Sequence, residues 1–411
     1  MPFPPSPAFQ PVFELGRKLS LACFLAVMAC PVQAEETRFP EERTAQTVSL
    51  PSESGKAPAT DRHYGAYLDL DYAVDFNHPS NHLFRNRSTT PRVNELDANM
   101  AMVYIRKDIS EQSRWGLELA GQEGQDVADF GFGVNTPKVG GSSVLRQFGR
   151  ANVSYLAPVG KGLTVQAGLF NSLIGNESLY AKDNANYTRP WIADYSPYLM
   201  FGVNASYPIN DRFTAALYVI NGYFHLSHPN SLPSYGGQLV YRATPHLTVK
   251  QTVYYGPDQA STSLEFWRLF SNSIVEWKGE SLTVALTYDV GTENVAGQAG
   301  DPRAFWMGGA LVTRWNVMGP WTVAIRPEFY WDRNGRLTGF EQFVKAITST
   351  LEYKVPYKWT NTTLRLEHRY DESTGPGGGF FKGGEVSPGV IGLTPGQHLL
   401  FFAAMWTFDS P

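Results

Sequence analysis

The feature that most constrains the fold is a strict two-residue alternation that runs from Tyr64 to Asn77. One face of this segment is apolar or aromatic, and the other is largely acidic or polar. A period of two over this length indicates a β-strand that separates two different environments. The segment is long for a strand of a soluble domain, but it suits a tilted strand that crosses a membrane and extends beyond the lipid.

The same alternation recurs along the chain. In residues 321–332, tryptophans stand at both ends of the apolar face, as in the aromatic girdles of outer-membrane barrels, while the other face carries charges. Sixteen candidate strands begin near residues 64, 95, 114, 146, 163, 198, 212, 235, 246, 264, 282, 304, 321, 342, 359 and 397. The pattern predicts an all-β protein: a transmembrane antiparallel up-and-down β-barrel of about 16 strands, with 14 to 18 as the range.

Short and long connections alternate between these strands. The short ones are 108–113, 157–162, 208–211, 244–245, 278–281, 316–320 and 354–358. The long ones are 78–94, 124–145, 174–197, 223–234, 257–263, 292–303, 333–341 and 372–396. Outer-membrane barrels have short periplasmic turns and long extracellular loops, so we expect both termini in the periplasm. A soluble propeller or sandwich would also give many strands, but it would not require long loops on one side only.

The last candidate strand, 397–409, is needed for closure. Lipid offers no hydrogen bonds, so a sheet can span a membrane only if its last strand pairs with its first. Trp406 and Phe408 resemble the aromatic C-terminal signal of outer-membrane proteins, although residues 409–411 follow where such a signal usually ends. This resemblance implies delivery by the barrel-assembly machinery into outer-membrane lipid.

The N-terminus has the order of a secretory signal peptide. Arg17 and Lys18 precede the apolar run 19–30, and Val32 and Ala34 are the small residues of a cleavage site. We therefore predict a signal peptide over 1–34, a flexible periplasmic segment over 35–60 and the barrel over 61–411. An N-terminal anchor helix and a lipoprotein site at the second cysteine are the alternatives.

The mature chain lacks the features of several functional classes. Both cysteines, Cys23 and Cys30, lie within the signal peptide, which leaves no thiol for a nucleophile or a zinc site. Removal of residues 1–34 changes the formal net charge from −4 to −5, which does not favour nucleic-acid binding. The loop histidines lack a carboxylate at helical spacing, and no Gly-x-Ser-x-Gly motif occurs. We predict no metal and no cofactor.

Residues 168–222 resemble the OmpL-like family of outer-membrane β-barrel porins. The matching stretches are 168–177, 186–189, 198–207 and Asn221-Gly222, and the general layout covers roughly residues 60–409. The resemblance implies a porin-like barrel and carries no catalytic residues over to this chain. We therefore predict a passive diffusion channel for small hydrophilic solutes or ions in the outer membrane, and not an enzyme. A barrel of about 16 strands is wide enough for an aqueous channel.

Inward-facing charges are the candidate functional residues. The predicted pore-lining set is Asp69, Asp71, Asp75, Glu95, Asp97, Glu118, Arg146, Arg150, Arg326, Glu328, Arg365, Glu367 and Arg369. Acids on the first two strands and arginines on the fourth, thirteenth and fifteenth predict separate acidic and basic walls. The alternative is that these side chains pair with one another across neighbouring strands.

Two of the long loops stand out in composition. The third, by analogy with general porins, would fold inward as a constriction and would contribute Glu177, Lys182, Asp183, Arg189 and Asp194. The last contains Gly375 to Gly379 and a further glycine pair, which we interpret as a mobile external loop rather than a phosphate-binding one.

Two other functions stay open at this point. One is a structural or adhesive barrel whose lumen is plugged, and the other is a barrel enzyme such as a lipase or protease. An enzyme would need a histidine in a triad at the rim, and His368, the one near a strand end with acids beside it, falls on the predicted lipid face. The sequence does not name the solute, and it leaves open whether the chain forms a homo-oligomer.

Overall fold

The computed structural model describes residues 62–129, 142–227, 230–296, 303–356 and 361–410. Within these ranges the chain forms a closed antiparallel β-barrel of 16 strands. Each strand pairs with its neighbour along the chain, and the last strand pairs with the first. The predicted all-β barrel and its strand count are therefore confirmed. The predicted signal peptide, 1–34, and N-terminal segment, 35–60, lie outside the described residues.

The described residues form 18 strands, and 16 of them build the barrel. They are β1 (Arg62–Asp75), β2 (Leu96–Lys107), β3 (Trp115–Glu123), β4 (Phe148–Ala157), β5 (Leu163–Asn171), β6 (Leu199–Pro208), β7 (Phe213–Ile220), β8 (Ser234–Arg242), β9 (Leu247–Pro257), β10 (Trp267–Lys278), β11 (Leu282–Asn294), β12 (Arg303–Met318), β13 (Trp321–Asp332), β14 (Gln342–Val355), β15 (Asn361–Thr374), β16 (Phe380–Ser387), β17 (Val390–Thr394) and β18 (Gly396–Asp409). We call the two ends of the barrel the long-loop end and the short-turn end.

β18 closes the barrel, because it pairs with both β15 and β1. Its register with β1 runs from Asp409 opposite Gly65 to Leu399 opposite Asp75. On the other side, Phe402 lies opposite Leu366 of β15. No strand edge is left unpaired in this part of the sheet, which is the condition for a sheet to lie in lipid.

The two faces of the sheet differ as the alternation predicts. On β1, Leu68 is 38% exposed and points outward, whereas its neighbour Asp69 is 0% exposed and points inward. Aromatic pairs surround the outer face at the short-turn end, with ring centroids 4.6 Å apart for Trp115 and Tyr155 and 4.6 Å apart for Trp321 and Tyr353. This arrangement is the expected aromatic girdle of a membrane barrel.

The loops at the long-loop end contain the remaining regular structure. Short helices are α1 (Gln125–Asp129), α2 (Ser142–Leu145) and α3 (Trp191–Asp194), with 3₁₀ turns at Ala181–Asp183 and Leu264–Phe266. Among the described residues, no helix combines the length and the apolar character that crossing a membrane requires.

The last long loop contains regular structure that the sequence analysis did not predict. β16 and β17 form an antiparallel hairpin in which Phe380 lies opposite Thr394. The sequence analysis placed no strand in this glycine-rich segment, so both strands of the hairpin were missed. Gly389 has a φ of +74°, a left-handed conformation that the tight turn between β16 and β17 needs and that glycine adopts without strain.

Candidate functional site: a loop folded into the barrel

The third long loop, between β5 and β6, fills much of the barrel interior. We call residues 172–198 the inserted loop. Its aromatic side chains are almost fully buried: Tyr180, Tyr187, Trp191, Tyr195 and Tyr198. Five large rings on one surface loop would be costly in water, and burial of each contributes roughly 1.5–3 kcal/mol. They pack instead into one apolar cluster with inward residues of the strands, such as Phe401 of β18.

A carboxylate of β15 binds the middle of the inserted loop. The Glu367 side chain accepts hydrogen bonds from the backbone N–H of Tyr187, at 2.6 Å, and of Thr188, at 2.9 Å. Two residues along the same strand, Arg365 donates to the backbone carbonyls of Asn184, at 2.7 Å, and Ala181, at 2.9 Å. The acidic wall residue thus accepts hydrogen bonds from N–H groups of the loop backbone, and the basic wall residue donates hydrogen bonds to its carbonyl groups.

Two further arginines hold the next residues of the loop. Arg326 of β13 donates to the carbonyl of Thr188 at 2.5 Å, and Arg369 of β15 donates to the carbonyl of Arg189 at 3.2 Å. Both guanidinium groups pair with Glu328, at 3.3 Å and 3.1 Å. An arginine in such a position is fixed by charge and hydrogen bonds together, which is typical of a structural clamp.

Trp191 begins α3 and is fixed at both its backbone and its ring. Its N–H donates to Glu328 at 2.5 Å, and its indole Nε1 donates to Asp371 of β15 at 2.8 Å. The ring stacks on Tyr195, with centroids 6.1 Å apart, and Tyr195 stacks on Tyr330 of β13 at 5.1 Å. The helix is thereby anchored on the β13–β15 wall.

The opposite walls also contact the inserted loop. The Tyr187 hydroxyl donates to Asp69 of β1 at 3.0 Å, and the Tyr180 hydroxyl donates to Gln122 of β3 at 2.9 Å. At the start of the loop, the N–H of Gly175 donates to Asn272 of β10 at 3.1 Å. Because bonds reach β1, β3, β10, β13 and β15, the loop crosses the lumen and does not lie along one wall.

Ion pairs join the inserted loop to the two loops before it. Arg189 lies 2.8 Å from Asp126 of α1, in the loop between β3 and β4. Asp194 lies 2.8 Å from Arg87, in the loop between β1 and β2, and also accepts a hydrogen bond from Thr89 at 2.7 Å. All four charged side chains are 0% exposed, so three loops share one buried ionic network.

Two loop carboxyl groups have shifted pKa values. Burial raises the pKa of Asp126 to about 7, even though Arg189 beside it acts in the opposite direction. Burial also raises the pKa of Glu177 to about 7, against the attraction of Arg326. Both groups therefore titrate near neutral pH, and both lie where the inserted loop meets its surroundings.

A second buried cluster lies at the same end, below the loop between β7 and β8. Asp258 accepts from the backbone N–H of Tyr223 at 2.7 Å and pairs with Arg268 of β10 at 2.7 Å. Arg268 also pairs with Glu293 of β11 at 3.0 Å, and its guanidinium lies 4.9 Å from the ring of Tyr223. The Tyr223 hydroxyl donates to the backbone carbonyl of Tyr195 at 3.3 Å, so this cluster adjoins the inserted loop just after α3.

Most of the residues that the sequence analysis singled out do lie on inward positions of the barrel strands. These are Asp69, Asp71, Asp75, Asp97, Glu118, Arg150, Arg326, Glu328, Arg365, Glu367 and Arg369. The placement of Glu95 and Arg146 on strands was wrong, because β2 and β4 begin later. Glu95 pairs with Arg92 at 2.5 Å, and Arg146 donates to the carbonyl of Ala128 at 2.7 Å, so both belong to loop structure.

The inward charges pair across neighbouring strands. Arg150 of β4 lies 2.9 Å from Glu118 of β3, whereas Arg369 pairs with Asp371 of its own strand at 2.8 Å. Arg365 pairs with Glu352 of β14, and its position opposite Glu352 in the register explains the contact. The sequence analysis left two arrangements open: separate acidic and basic walls, or charges that pair with one another across neighbouring strands. The observed contacts correspond to the second arrangement.

The five predicted constriction residues all lie within the inserted loop but differ in surroundings. Arg189 and Asp194 are in the buried ionic network described above. Lys182 and Asp183 pair with each other at 2.7 Å and are each about one quarter exposed. Glu177 is partly buried, and one of its carboxylate oxygens has no hydrogen-bond partner.

Residues that sequence reasoning missed are Glu352, Asp371, Thr188 and Trp191. Glu352 and Asp371 occupy inward positions of the same alternation as the residues that were chosen, so the pattern could have identified them. Nothing in the local sequence marks Thr188 or Trp191, because their partners lie 137 to 181 residues away along the chain.

The histidine that an enzyme would need is not at the inserted loop. His368 of β15 points outward, and its Nε2 lies 3.2 Å from Nδ1 of His398 on β18. The two rings stack with centroids 5.4 Å apart. In the part of the chain that the structure describes, no three His, Cys, Asp or Glu side chains are grouped as a metal site.

Comparison with known families identifies the chain. Residues 62–408 match the model of the family described as "Putative beta-barrel porin-2, OmpL-like". The chain belongs to this OmpL-like porin family. A comparison with curated protein sequences finds no match.

Solved structures of a porin and of other outer-membrane proteins share the fold of this chain. An anion-selective porin from Comamonas acidovorans matches with a TM-score of 0.52 at 11% identity, covering 84% of this chain and 99% of that one. OmpF of Salmonella typhi, solved with daunomycin, also gives 0.52 at 11% identity, covering 85% and 97%. OmpT of Vibrio cholerae gives 0.50 at 10% identity, covering 86% and 99%. At such identities the likeness shows the fold alone.

Proposed function

We propose that this OmpL-like porin is a passive diffusion channel for small hydrophilic solutes or ions in the outer membrane, narrowed by the inserted loop. One observation carries the proposal: a closed barrel of 16 strands has an apolar outer face and a densely charged inner face. Lipid requires the first property, and a water-filled lumen requires the second. No catalytic step forms part of the proposal.

The orientation follows from the connections and is part of the same proposal. Short turns of outer-membrane barrels face the periplasm, and long loops face the cell exterior. The inserted loop would then narrow the lumen from the extracellular side, and both ends of the barrel chain would lie in the periplasm. A protease added to intact cells would cleave in the long loops and leave the short turns uncut.

The test is single-channel conductance of the refolded protein in a planar bilayer. Discrete steps of stable size would support the channel. A matched variant replaces residues 176–194 with a short glycine-serine linker. It leaves β5 and β6 intact and removes the part of the loop that Glu367 and Arg365 bind. We expect larger steps from this variant, because the lumen loses its main obstruction.

A second candidate, a plugged barrel without conductance, has an observation in its favour. The inserted loop is held by wall residues on several sides, and solvent does not reach its centre: three of its residues are 0% exposed, namely Thr188, Arg189 and Trp191. If the wild-type protein is folded but silent while the linker variant conducts, the inserted loop is a plug and the passive channel proposal fails. If both are silent, the inserted loop is not what closes the barrel.

A further inference from the structure

The inward-facing charges of the barrel strands are distributed unevenly along its axis. In the half of each strand next to the long loops, they are mostly acidic: Asp69, Asp71, Asp75, Asp97, Asp289, Glu293, Glu328, Asp332 and Asp371, against Arg150, Arg268 and Arg369. In the half next to the short turns, they are mostly basic: Arg106, Arg242, Lys250, Lys278, Arg314, Arg326, Lys354 and Arg365, against Glu118, Glu276, Glu352, Glu367 and Asp409. The sequence analysis expected a division around the barrel, and this division runs along it.

Solvent reaches the basic half more than the acidic half. Asp71, Asp289, Asp332 and Asp371 are at most 2% exposed, and the loops at that end cover them. Arg242 and Lys250 at the short-turn end are partly exposed. A solute that enters from the short-turn end therefore meets basic side chains, while most of the acidic charge is out of contact with water.

Most charges at the short-turn end are neutralised by a partner. Glu352 pairs with Arg314 at 3.2 Å and with Arg365, and Glu276 pairs with Lys278 at 3.2 Å. In contrast, the side chains of Arg242 on β8 and Lys250 on β9 make no hydrogen bond or ion pair with any residue that the structure describes. They are neighbours on the inner face, because Lys250 lies opposite Val240 and Arg242 lies opposite Thr248.

The surroundings of Lys250 leave its charge poorly solvated. Its two cross-strand neighbours are apolar and buried, Val240 at 5% exposure and Ile274 at 0%. A charge that loses water without gaining a partner is unfavourable, and an incoming anion would relieve that cost. Glu276 on the adjacent strand β10 is already paired with Lys278 and forms no ion pair with Lys250.

We propose that Arg242 and Lys250 form an oxyanion-binding site on the lumen wall at the short-turn end, which makes the channel favour small solutes that carry a phosphate or carboxylate group. The guanidinium offers paired N–H donors that match such an oxyanion, and the ammonium adds a second positive charge within the same wall. Because this inference rests on the proposed channel function for its transport role, it needs a test that works without conductance.

The first measurement is equilibrium binding of inorganic phosphate, and separately of succinate, to the refolded full chain in detergent by calorimetry. The double variant Arg242→Gln, Lys250→Gln should bind phosphate about tenfold more weakly, since two charge-assisted contacts are lost at a partly exposed site. The control is Lys345→Gln, which removes one positive charge from the outer face of β14 and should bind as the wild type does. Binding of succinate without phosphate would identify carboxylate solutes as the ligands.

The second measurement is the reversal potential across the bilayer in a potassium chloride gradient. The wild type should be selective for chloride, and the double variant should shift towards potassium. If the wild type does not conduct but phosphate binding depends on Arg242 and Lys250, the site stands and the channel function fails. If the wild type conducts and neither anion binding nor the reversal potential changes in the double variant, the site is refuted.

Discussion

Arg189 and Asp126 form a buried ion pair of 2.8 Å between two loops that enter the same end of the barrel. Arg189 belongs to the inserted loop, and Asp126 belongs to α1 in the loop between β3 and β4. Asp126 also accepts a hydrogen bond of 2.6 Å from the backbone N–H of Thr90, in the loop between β1 and β2. One carboxylate thus joins three loops, and its protonation state bears on how firmly they hold together.

The first prediction concerns pH. Burial raises the pKa of Asp126 from 3.8 to about 7 and that of Glu177 from 4.5 to about 7. The closed loop therefore holds these protons more tightly than an opened loop does, so protonation stabilises the closed loop. This stabilisation of the closed loop is complete below about pH 4 and is lost as the pH rises towards 7. We expect the inserted loop to open more often at pH 8 than at pH 5.

Hydrogen exchange of the backbone amides of residues 177–194, corrected for the intrinsic pH dependence of exchange, measures this opening. The double variant Asp126→Asn, Glu177→Gln removes both titrating groups and should show a much smaller difference between pH 5 and pH 8. If the wild-type loop is better protected from exchange at pH 8 than at pH 5, the predicted direction of the pH dependence is wrong.

The second prediction concerns Glu367, which binds the middle of the inserted loop. Besides two backbone N–H groups, its carboxylate accepts from Thr350 at 2.6 Å. In Glu367→Gln, an amide NH₂ replaces one acceptor oxygen and faces the hydrogen-bond donors of the loop. This change should weaken the free energy of docking the inserted loop by roughly 1.5–3 kcal/mol. Faster amide exchange at Tyr187 and Thr188 and larger conductance steps should result.

The matched control for that variant is Glu372→Gln on the same strand. Glu372 points outward, so the change removes an equal charge without touching the loop. Equal effects of the two variants on loop exchange would show that net charge, and not the contact with the loop, is responsible.

The sequence predicted the barrel well because the barrel depends on periodic information. Each strand alternates between a lipid face and an inner face, so a single strand such as β1 shows its own place in the fold. Fifteen of the sixteen strand starts lie within two residues of the predicted ones, and β10 begins at Trp267, three residues late, because a 3₁₀ turn occupies Leu264–Phe266.

The interior of the barrel could not be predicted in the same way. The contact between Tyr187 and Glu367 joins residues 180 positions apart, and no periodicity links them. The hairpin of β16 and β17 was missed for a local reason: Gly383 and Gly384 interrupt the alternation, and the register shifts between Lys382 and Glu385. The sequence analysis overlooked Arg242 and Lys250, because only the folded barrel shows that the acids Glu276 and Glu352 pair with other basic residues.

The third prediction concerns Trp191 of α3. Its ring is 0% exposed and its Nε1 donates to Asp371. Trp191→Ala removes a large buried ring and leaves a cavity. We expect this to weaken the free energy of loop docking by about 3–5 kcal/mol, while the stability of the hydrogen-bonded barrel is unchanged. Trp191→Phe retains most of the packing and loses the hydrogen bond, so it should fall between the wild type and Trp191→Ala.

Proteolysis of the refolded protein distinguishes these effects. Trypsin cleaves readily after Lys182 only when the inserted loop is open, so its rate should rise in the order wild type, Trp191→Phe, Trp191→Ala. The barrel itself should keep its heat-modifiable migration in all three. Equal cleavage rates would show that the tryptophan does not fix the loop.

The fourth prediction moves α3 without changing a polar contact. Gly308 of β12 points inward under α3, and a Cβ added there would lie 2.5 Å from Cγ2 of Ile192 and 2.7 Å from the ring of Tyr330. Both distances are shorter than a Cβ can accept, so we expect Gly308→Ala to push α3 away from the β12–β13 wall. Gly309 is the natural control, since it points outward and an added Cβ there would lie 3.1 Å from the ring of Phe329.

If α3 narrows the lumen, Gly308→Ala should change the conductance and speed amide exchange in residues 191–194, while Gly309→Ala should leave both close to wild type. The two alanines differ by one position on the same strand, so general effects on strand propensity or on barrel assembly act on both alike. A change in conductance in Gly309→Ala alone would place the obstruction somewhere other than α3. Unchanged exchange in Gly308→Ala would mean that Ile192 and Tyr330 absorb the new methyl group by rotating, and that α3 is held by Trp191 and Glu328 more firmly than by its packing on β12.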